Sequence, residues 1–305
     1  MLKIVFMGSP EFAVPSLEAL HNSSHEIAEV ITNPDKRRGR GKKTSPTIIK
    51  KRALDFGYPV FETESTKDPG LYRKLVDIQP DLLVVVAFRI LPPEILRIPR
   101  LGSINLHASL LPKYRGAAPI HWAVIKGESE TGCTVFFLDE KVDTGHILGK
   151  IRTDIGPDET TGDLYNRLKM LGAGLLVDTI DKIEKGEAEA MPQDSSQATP
   201  APKLFPADTR VDFNKSSTDV HNLIRGLNPY PVAAALYGNK TVKLYRTRIG
   251  PDVQMNIGEL KYVEECLLAG CGTGSVQLIE LQLPGKNRIS GKDFANGYDL
   301  NVKLE

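Results

Sequence analysis

An open, mostly parallel α/β sheet followed by a smaller β-barrel is the fold class this chain predicts, and three observations predict it. Apolar strand-like runs alternate with helical stretches from the first residues to past residue 130. The run DLLVVVAF, residues 81–88, lacks polar alternation, as a strand buried on both faces of a parallel sheet does. Beyond about residue 206 the pattern changes to short runs separated by turn signals.

Residues 2–7 read as a first strand ending at Gly8, and a helical pattern follows over 10–20 with Pro10 in the first turn, where its missing N–H costs nothing. Residues 26–32 give a second strand, 46–56 and 67–78 two helices, and 81–88 the buried strand. A further strand at 103–107, a helix at 117–126 and a strand at 133–138 continue the alternation, and an amphipathic helix over 160–185 closes the unit. Residues 187–206, EAEAMPQDSSQATPAPKLFP, carry Pro, Ser, Ala and Gln with no period, the composition of a linker. A helix near 218–225 then precedes Asn228-Pro229-Tyr230-Pro231, and strand-like runs at 232–237, 241–247 and 274–282 surround the Gly238-Asn239 turn. The expected organisation is a Rossmann-like domain over 1–189, a linker over 190–206 and an OB-like β-barrel over 207–305.

Bulk composition excludes several classes. The 305 residues carry 39 basic and 38 acidic side chains, so no global charge marks a nucleic-acid or membrane protein, and any anionic partner must be met locally. Cys133, Cys266 and Cys271 have no Cys-x-x-Cys spacing and no histidine pair beside them, so neither a disulfide framework nor a metal site is expected. The apolar start is too short for a signal peptide and no run of 18 apolar residues exists, which places the expected protein in the cytoplasm, off the membrane.

Some motifs fail on inspection. The turn GSPEF has one glycine where a dinucleotide fingerprint needs three. A P-loop ending in Gly41-Lys42 would need glycine at position 36, where Lys36 stands. No Gly-x-Ser-x-Gly elbow is present for a serine hydrolase.

SINLHASLLP, residues 103–112, remains. Residues two apart on a strand share a face, so Asn105 and His107 point together while Ile104 and Leu106 point away. Open α/β sheets bind ligands beyond the carboxyl ends of their strands, and this pair stands at such an end. In isolation, an Asn-x-His pair is more simply a loop-bonding asparagine and a satisfied core histidine. Downstream, however, FFLDEKVDTG delivers Asp139 and Asp143, and the Asp-Thr-Gly turn can aim a carboxylate back at a neighbouring strand. Asp143 is the expected partner, because Asp139 lies nearer the strand body and is placed to bond local backbone.

Asn105, His107 and Asp143, with the intervening SLLPKYRGAAPI and the DTG turn, resemble the folate-dependent formyltransferase family. The resemblance extends through NPDKRRGRGKK, DLLVVVAF, LYNRL, VDFNKSSTDVHNLIRGLNPYP and LQLPGKNRIS, nearly the whole chain. It implies that Asn105, His107 and Asp143 form the catalytic set, and that Ser109, Leu110, Leu111 and Pro112 contact tetrahydrofolate. The formyl donor it implies is 10-formyltetrahydrofolate, with no metal, and the acceptor is the methionine amine of a charged initiator tRNA, served by a monomer. One departure is Phe88-Arg89, where the family has an aromatic followed by glycine; Arg89 then falls at the rim of the expected pterin pocket.

Such a reaction is an acyl transfer through a tetrahedral oxyanion, which needs preorganised donors and a proton shuttle. Asn105 can donate from its amide, His107 can shuttle, and a carboxylate at Asp143 can orient the imidazole and favour its charged form. Which group takes the first proton stays open at this stage.

The segment KRRGRGKK, residues 36–43, packs six cations around two glycines in an otherwise neutral chain. Most such runs are solvated loops. Beside a ligand-binding sheet edge it reads as an anion-binding arm, and the resemblance implies that Arg38, Arg40, Lys42 and Lys43 meet the tRNA acceptor stem, Arg40 foremost. Lys203, Arg210, Lys240, Lys243, Arg246 and Arg248 could add a second backbone contact or form a solvated face. Three competing readings stand beside this one: a formyltransferase with a small-molecule acceptor, a folate hydrolase using water, and an RNA-binding protein with a vestigial sheet domain.

Overall fold

The computed structural model describes all residues except 39–42 and 252, and no side chain over 36–44. The chain falls into two compact units, one of Met1–Gly116, Gly132–Thr153 and Asn166–Pro200, the other of Ala117–Thr131, Asp154–Tyr165 and Ala201–Glu305.

The first unit is built on β1 (Lys3–Gly8), α1 (Val14–His21), β2 (Glu26–Thr32), the short hairpin of β3 (Lys36–Arg38) and β4 (Lys43–Ser45), α2 (Ile48–Asp55), β5 (Val60–Glu62), α3 (Pro69–Ile78), β6 (Leu82–Val86), α4 (Pro93–Leu96) and β7 (Ser103–His107). After α5 (Pro119–Ile125), which counts with the second unit, come β8 (Glu130–Phe137), β9 (Ile147–Asp154) and α6 (Thr161–Lys185). The main sheet runs β5-β2-β1-β6-β7-β8-β9. Pairing is parallel from β5 to β7, and β8 runs antiparallel to β7.

Each element has a local cause. All five residues of β6 are buried, as its unbroken aliphatic run requires. Thr47 caps α2 by accepting from the Lys50 N–H, and Asp68 caps α3 by accepting from Gly70, with Pro69 in the first turn. One face of the sheet packs Val5, Met7, Ile31, Leu83 and Val85 against Leu71 and Leu75 of α3 and Ile95 of α4. Each such aliphatic side chain contributes roughly 1.5–3 kcal/mol on burial. On the opposite face Leu106 packs beneath α6 at Gly172, beside buried Cys133.

The second unit is made of α7 (Ser217–Gly226), β10 (Ala233–Tyr237), β11 (Lys240–Ile249), β12 (Leu260–Val263), β13 (Cys266–Gly270), β14 (Ser275–Gln282), β15 (Ile289–Ser290) and α8 (Gly291–Gly297). Its six-stranded sheet is antiparallel, in the order β10-β11-β14-β13-β12 with β15 on β14, around a core that includes Val242, Leu244, Leu278 and Phe294. The α/β sheet and a separate β domain are thus both present. Among the described residues the β domain does not close as a barrel by pairing β10 with β12. The last two residues span that gap instead. Glu305 exchanges two backbone hydrogen bonds with Leu236, and the Leu304 N–H donates to the Gly258 carbonyl at 2.8 Å. Gly258 has a φ of +70°, and a Cβ there would strike the Leu304 carbonyl, so only glycine fits. No helix among the described residues is long and apolar enough to cross a membrane.

Candidate active site

Asn105 and His107 reach the site because β7 alternates. Asn105 lies beside Val85 in the parallel register, so both polar residues face the side of the sheet covered by α3 and α4. Asn105 is half-buried, and its carboxamide makes no hydrogen bond among the described residues.

His107 is 6% exposed and held on two sides. Its Nε2 lies 2.8 Å from the Tyr114 carbonyl oxygen, which can only accept, so the neutral ring carries its proton on Nε2. Nδ1 is left with the lone pair. It faces Asp143 Oδ2 at 3.8 Å, too long for a hydrogen bond and close enough for an ion pair once the ring is charged. Phe136 meets the ring edge-on, with centroids 6.5 Å apart.

Asp143 arrives from the loop after β8. Leu138 N–H donates to Ser103 O, starting that loop at the amino end of β7, and the loop then turns back over the face of the strand. Asp139 is consumed within the turn, accepting from Lys141 N–H and Thr144 Oγ1. Gly145 lies directly against the Phe137 carbonyl, where a side chain could not fit. Asp143 itself adopts φ +55°, is 8% exposed, and accepts from the Gly116 N–H at 2.8 Å through Oδ2.

The Ser-Leu-Leu-Pro loop is clamped to β8 by one hydroxyl. Thr134 Oγ1 donates to Ser109 O at 2.7 Å and accepts from Leu111 N–H at 3.1 Å. Ser109 is fully buried and its hydroxyl donates to Lys113 O, while Leu111 is buried with Phe136 and Ile147. Leu110 and Pro112 are partly exposed. At the carboxyl end of β6, Ala87 takes φ +48°, Phe88 and Arg89 are half-buried, and Ile90 is 71% exposed. Val142, next to Asp143, is 50% exposed, and Arg97 pairs with Glu140 at 3.1 Å. A cavity of about 550 Å³ opens beside this loop, lined by Arg115, Asp139, Glu140, Lys141, Thr144 and Ser195.

Thiol chemistry has no candidate here. Burial pushes the Cys133 thiol up to about 12, and its Sγ faces the Leu168 carbonyl. His25, Asp181 and Glu184 have metal-ligand spacing, but each is already engaged: His25 Nδ1 accepts from Leu2 N–H, Nε2 meets Asp181 at 2.9 Å, and Glu184 pairs with the N-terminal ammonium.

Of the basic arm, Arg38 and Lys43 are paired across the β3–β4 hairpin, their side chains lying outside the description. Arg40 and Lys42 lie outside the described residues. In the second unit Lys203, Arg210, Lys240, Lys243, Arg246 and Arg248 are all exposed, with Arg248 paired to Asp158.

Comparison with known proteins gives this geometry a family. Residues 2–180 match the family model described as formyl transferase, and residues 203–299 match the one described as formyl transferase, C-terminal domain. The chain belongs to the formyl transferase family. A relative from Chlorobium luteolum, named methionyl-tRNA formyltransferase, is 43% identical over 308 residues, covering 99% of this chain and 98% of that one. A protein of the same name from Moorella thermoacetica is 43% identical over 302 residues, 98% of this chain and 97% of the other. Among solved structures, a sugar 3N-formyl transferase determined with dTDP and 5-N-formyl-THF shares the fold, with TM-score 0.71 and 22% identity over 94% of this chain and 99% of the other. So does HypX from Aquifex aeolicus in complex with tetrahydrofolic acid, at TM-score 0.66 and 17% identity, covering 97% of this chain and 47% of that one.

Within this candidate site of a formyl transferase family member, several groups that hold the arrangement together escape a reading of the sequence. The Tyr114 carbonyl, the Gly116 N–H and the Thr134 hydroxyl are such groups, two of them backbone atoms that any residue would supply. Gln193 is another, joining the Asp143 loop from 48 to 50 positions away.

Proposed function

We propose that the chain transfers the formyl group of 10-formyltetrahydrofolate to the α-amino group of methionine on initiator methionyl-tRNA, giving formylmethionyl-tRNA for translation initiation, with Asn105, His107 and Asp143 at the reacting carbon. The acceptor follows from full-length relatives at 43% identity that carry the name methionyl-tRNA formyltransferase. For the chemistry, one observation carries the reading: a carboxamide at Asn105, without a hydrogen-bond partner among the described residues, shares a strand face with an imidazole whose second nitrogen faces a buried carboxylate at 3.8 Å.

The residues fit a folate co-substrate. Leu110 and Pro112 are partly exposed, and Ile90 and Val142, in the loops after β6 and β8, expose apolar surface that suits a flat ring, while the Asn105 amide, without a partner among the described residues, can meet a carbonyl oxygen. With Ser109 and Leu111 turned inward, that loop offers the ring its backbone together with Leu110 and Pro112. The formyl group supplies the electrophile.

As the methionine amine attacks the formyl carbon, Asn105 donates to the developing oxyanion, a contribution of about 3 kcal/mol. Nδ1 of His107 takes the proton that the amine must lose, since Nε2–H is committed to Tyr114. Asp143 stabilises the resulting imidazolium, and Nδ1–H then protonates the departing N10, so protons balance without a covalent enzyme intermediate. Arg38, Arg40, Lys42 and Lys43 hold the acceptor stem, and the exposed cations of the second unit add backbone contacts. The enzyme works as a monomer in the cytoplasm, and light scattering on the purified chain tests the first of these.

The deciding experiment supplies 10-formyltetrahydrofolate and charged initiator tRNA and measures formylmethionyl-tRNA. The unaltered chain forms product, and Asn105→Ala, His107→Ala and Asp143→Asn each lose most of the turnover. Full turnover in all three variants refutes the site; product only from a free amino sugar refutes the acceptor.

A further inference from the structure

Residues 191–200 are exposed almost throughout, and Gln193 is one of two positions in the stretch that turn inward. The segment is fastened at both ends to the chain around the active site. Met191 and Ile147 exchange two backbone hydrogen bonds at 2.7 and 2.9 Å, while Thr199 accepts from the Arg115 N–H through its carbonyl and from the Tyr114 N–H through its hydroxyl, both at 2.9 Å.

Between these anchors Gln193 uses both ends of its amide. Oε1 accepts from Arg115 Nε at 3.2 Å and Nη2 at 2.7 Å, and Nε2 donates to Asp143 O at 3.0 Å and Gly145 O at 2.8 Å. The orientation is chemically forced. A guanidinium only donates and a carbonyl only accepts, so a flipped amide would meet repulsion at all four contacts.

Asp143 needs that hold. A non-glycine residue at φ +55° sits in a conformation costing roughly 1–2 kcal/mol, and such residues persist where their surroundings over-determine them. Two constraints act here: the Gly116 N–H on the carboxylate and Gln193 on the backbone carbonyls either side of Thr144. Without the second, the loop can relax and carry the carboxylate away from Nδ1.

We propose that Gln193 is a positioning residue, holding the Asp143 loop in its left-handed conformation so that the carboxylate faces His107, and tying that loop through Arg115 to the Tyr114–Gly116 segment that holds the other side of the imidazole. The proposal rests on the assignment of His107 and Asp143 made above. Only Gln meets the four contacts at this length: Glu cannot donate to two carbonyls, and Met leaves an arginine and both carbonyls unsatisfied.

The test is a double-mutant cycle on formyl transfer at saturating substrates, with Gln193→Met, Gln193→Glu, Asp143→Asn and the combined variants. A displacement of about 1 Å at a reacting group costs on the order of 100-fold, so Gln193→Met is expected to lower kcat by about 10- to 100-fold, with KM for both substrates within about twofold. On the Asp143→Asn background the same change should add less than about twofold, because a residue acting through the carboxylate has nothing left to position. Gln197→Met, which alters an exposed amide of the same segment bonded only to Asp194, should keep full activity. If Gln193→Met does not fold, Gln193→Glu, which retains the Arg115 acceptor, decides by the same criterion. Wild-type kcat in the folded Gln193 variant, or a full multiplicative loss on Asp143→Asn, overturns the proposal. Full activity of Asp143→Asn itself would instead bring down the site assignment, so the two failures are distinguishable.

Discussion

Asn105→Ala separates catalysis from stability more cleanly than any other substitution in this site. The carboxamide is half-buried and makes no hydrogen bond among the described residues, so its removal breaks none of theirs and relieves a polar group of incomplete solvation. Stability should therefore stay within about 0.5 kcal/mol of the starting value or rise slightly, as when a group kept for function is deleted. Turnover should behave differently: losing one oxyanion donor costs about 2.7–4 kcal/mol of barrier, or roughly 10²- to 10³-fold in kcat. The assay pairs single-turnover formylation of methionyl-tRNA with urea unfolding, and a folate-analogue titration shows that the donor still binds. A kcat loss below about threefold, or a loss matched by an equal drop in stability, refutes the assignment of this amide to the transition state.

Other outcomes follow from features elsewhere in the chain. Burial pushes His121 and His221 below the usual histidine range even though each ring bonds a carbonyl, of Tyr230 and Pro157 respectively. The unfolded chain therefore binds these protons first, near pH 6.5, so their contribution is intact above that pH and is lost as pH falls through the depressed folded values; the melting temperature against pH should show this, and a His121→Gln/His221→Gln variant should flatten the acid limb. Removing Leu304 and Glu305 takes away a buried leucine side chain, 3% accessible, uncovers the apolar core it packs against, and breaks the stitch to Leu236 and Gly258, a loss of about 2–4 kcal/mol measurable by urea unfolding. Neutralising Arg40, Lys42 and Lys43 together should weaken tRNA binding and reduce its salt slope by roughly 0.7–0.9 log units per lost phosphate contact, with folate binding unchanged; an unaltered slope makes the arm ordinary surface.

What the sequence disclosed and what it hid divide along physical lines. The alternation in SINLH displays Asn105 and His107 on one face because strand geometry has a fixed period, and β2 and β7 fall over the residues their apolar runs mark. Asp143 was legible through its turn. β5 has only three residues, and β9 is an edge strand interrupted by Gly149 and charged at Lys150, Arg152 and Asp154, so neither presents an apolar run. Gln193 sits in a stretch whose composition reads as a linker, since four hydrogen bonds leave no periodic trace. The left-handed residue after β6 is Ala87, one step before Phe88, a backbone choice that side-chain chemistry does not announce.

The bond from His107 Nε2 to the Tyr114 carbonyl reaches further than the tautomer it selects. A ring anchored at one nitrogen cannot pass a proton through itself from one neighbour to another. Pick-up and delivery must happen at the same atom, in succession. In the proposed reaction, the incoming amine and the outgoing folate nitrogen therefore both meet the Nδ1 edge of the imidazole.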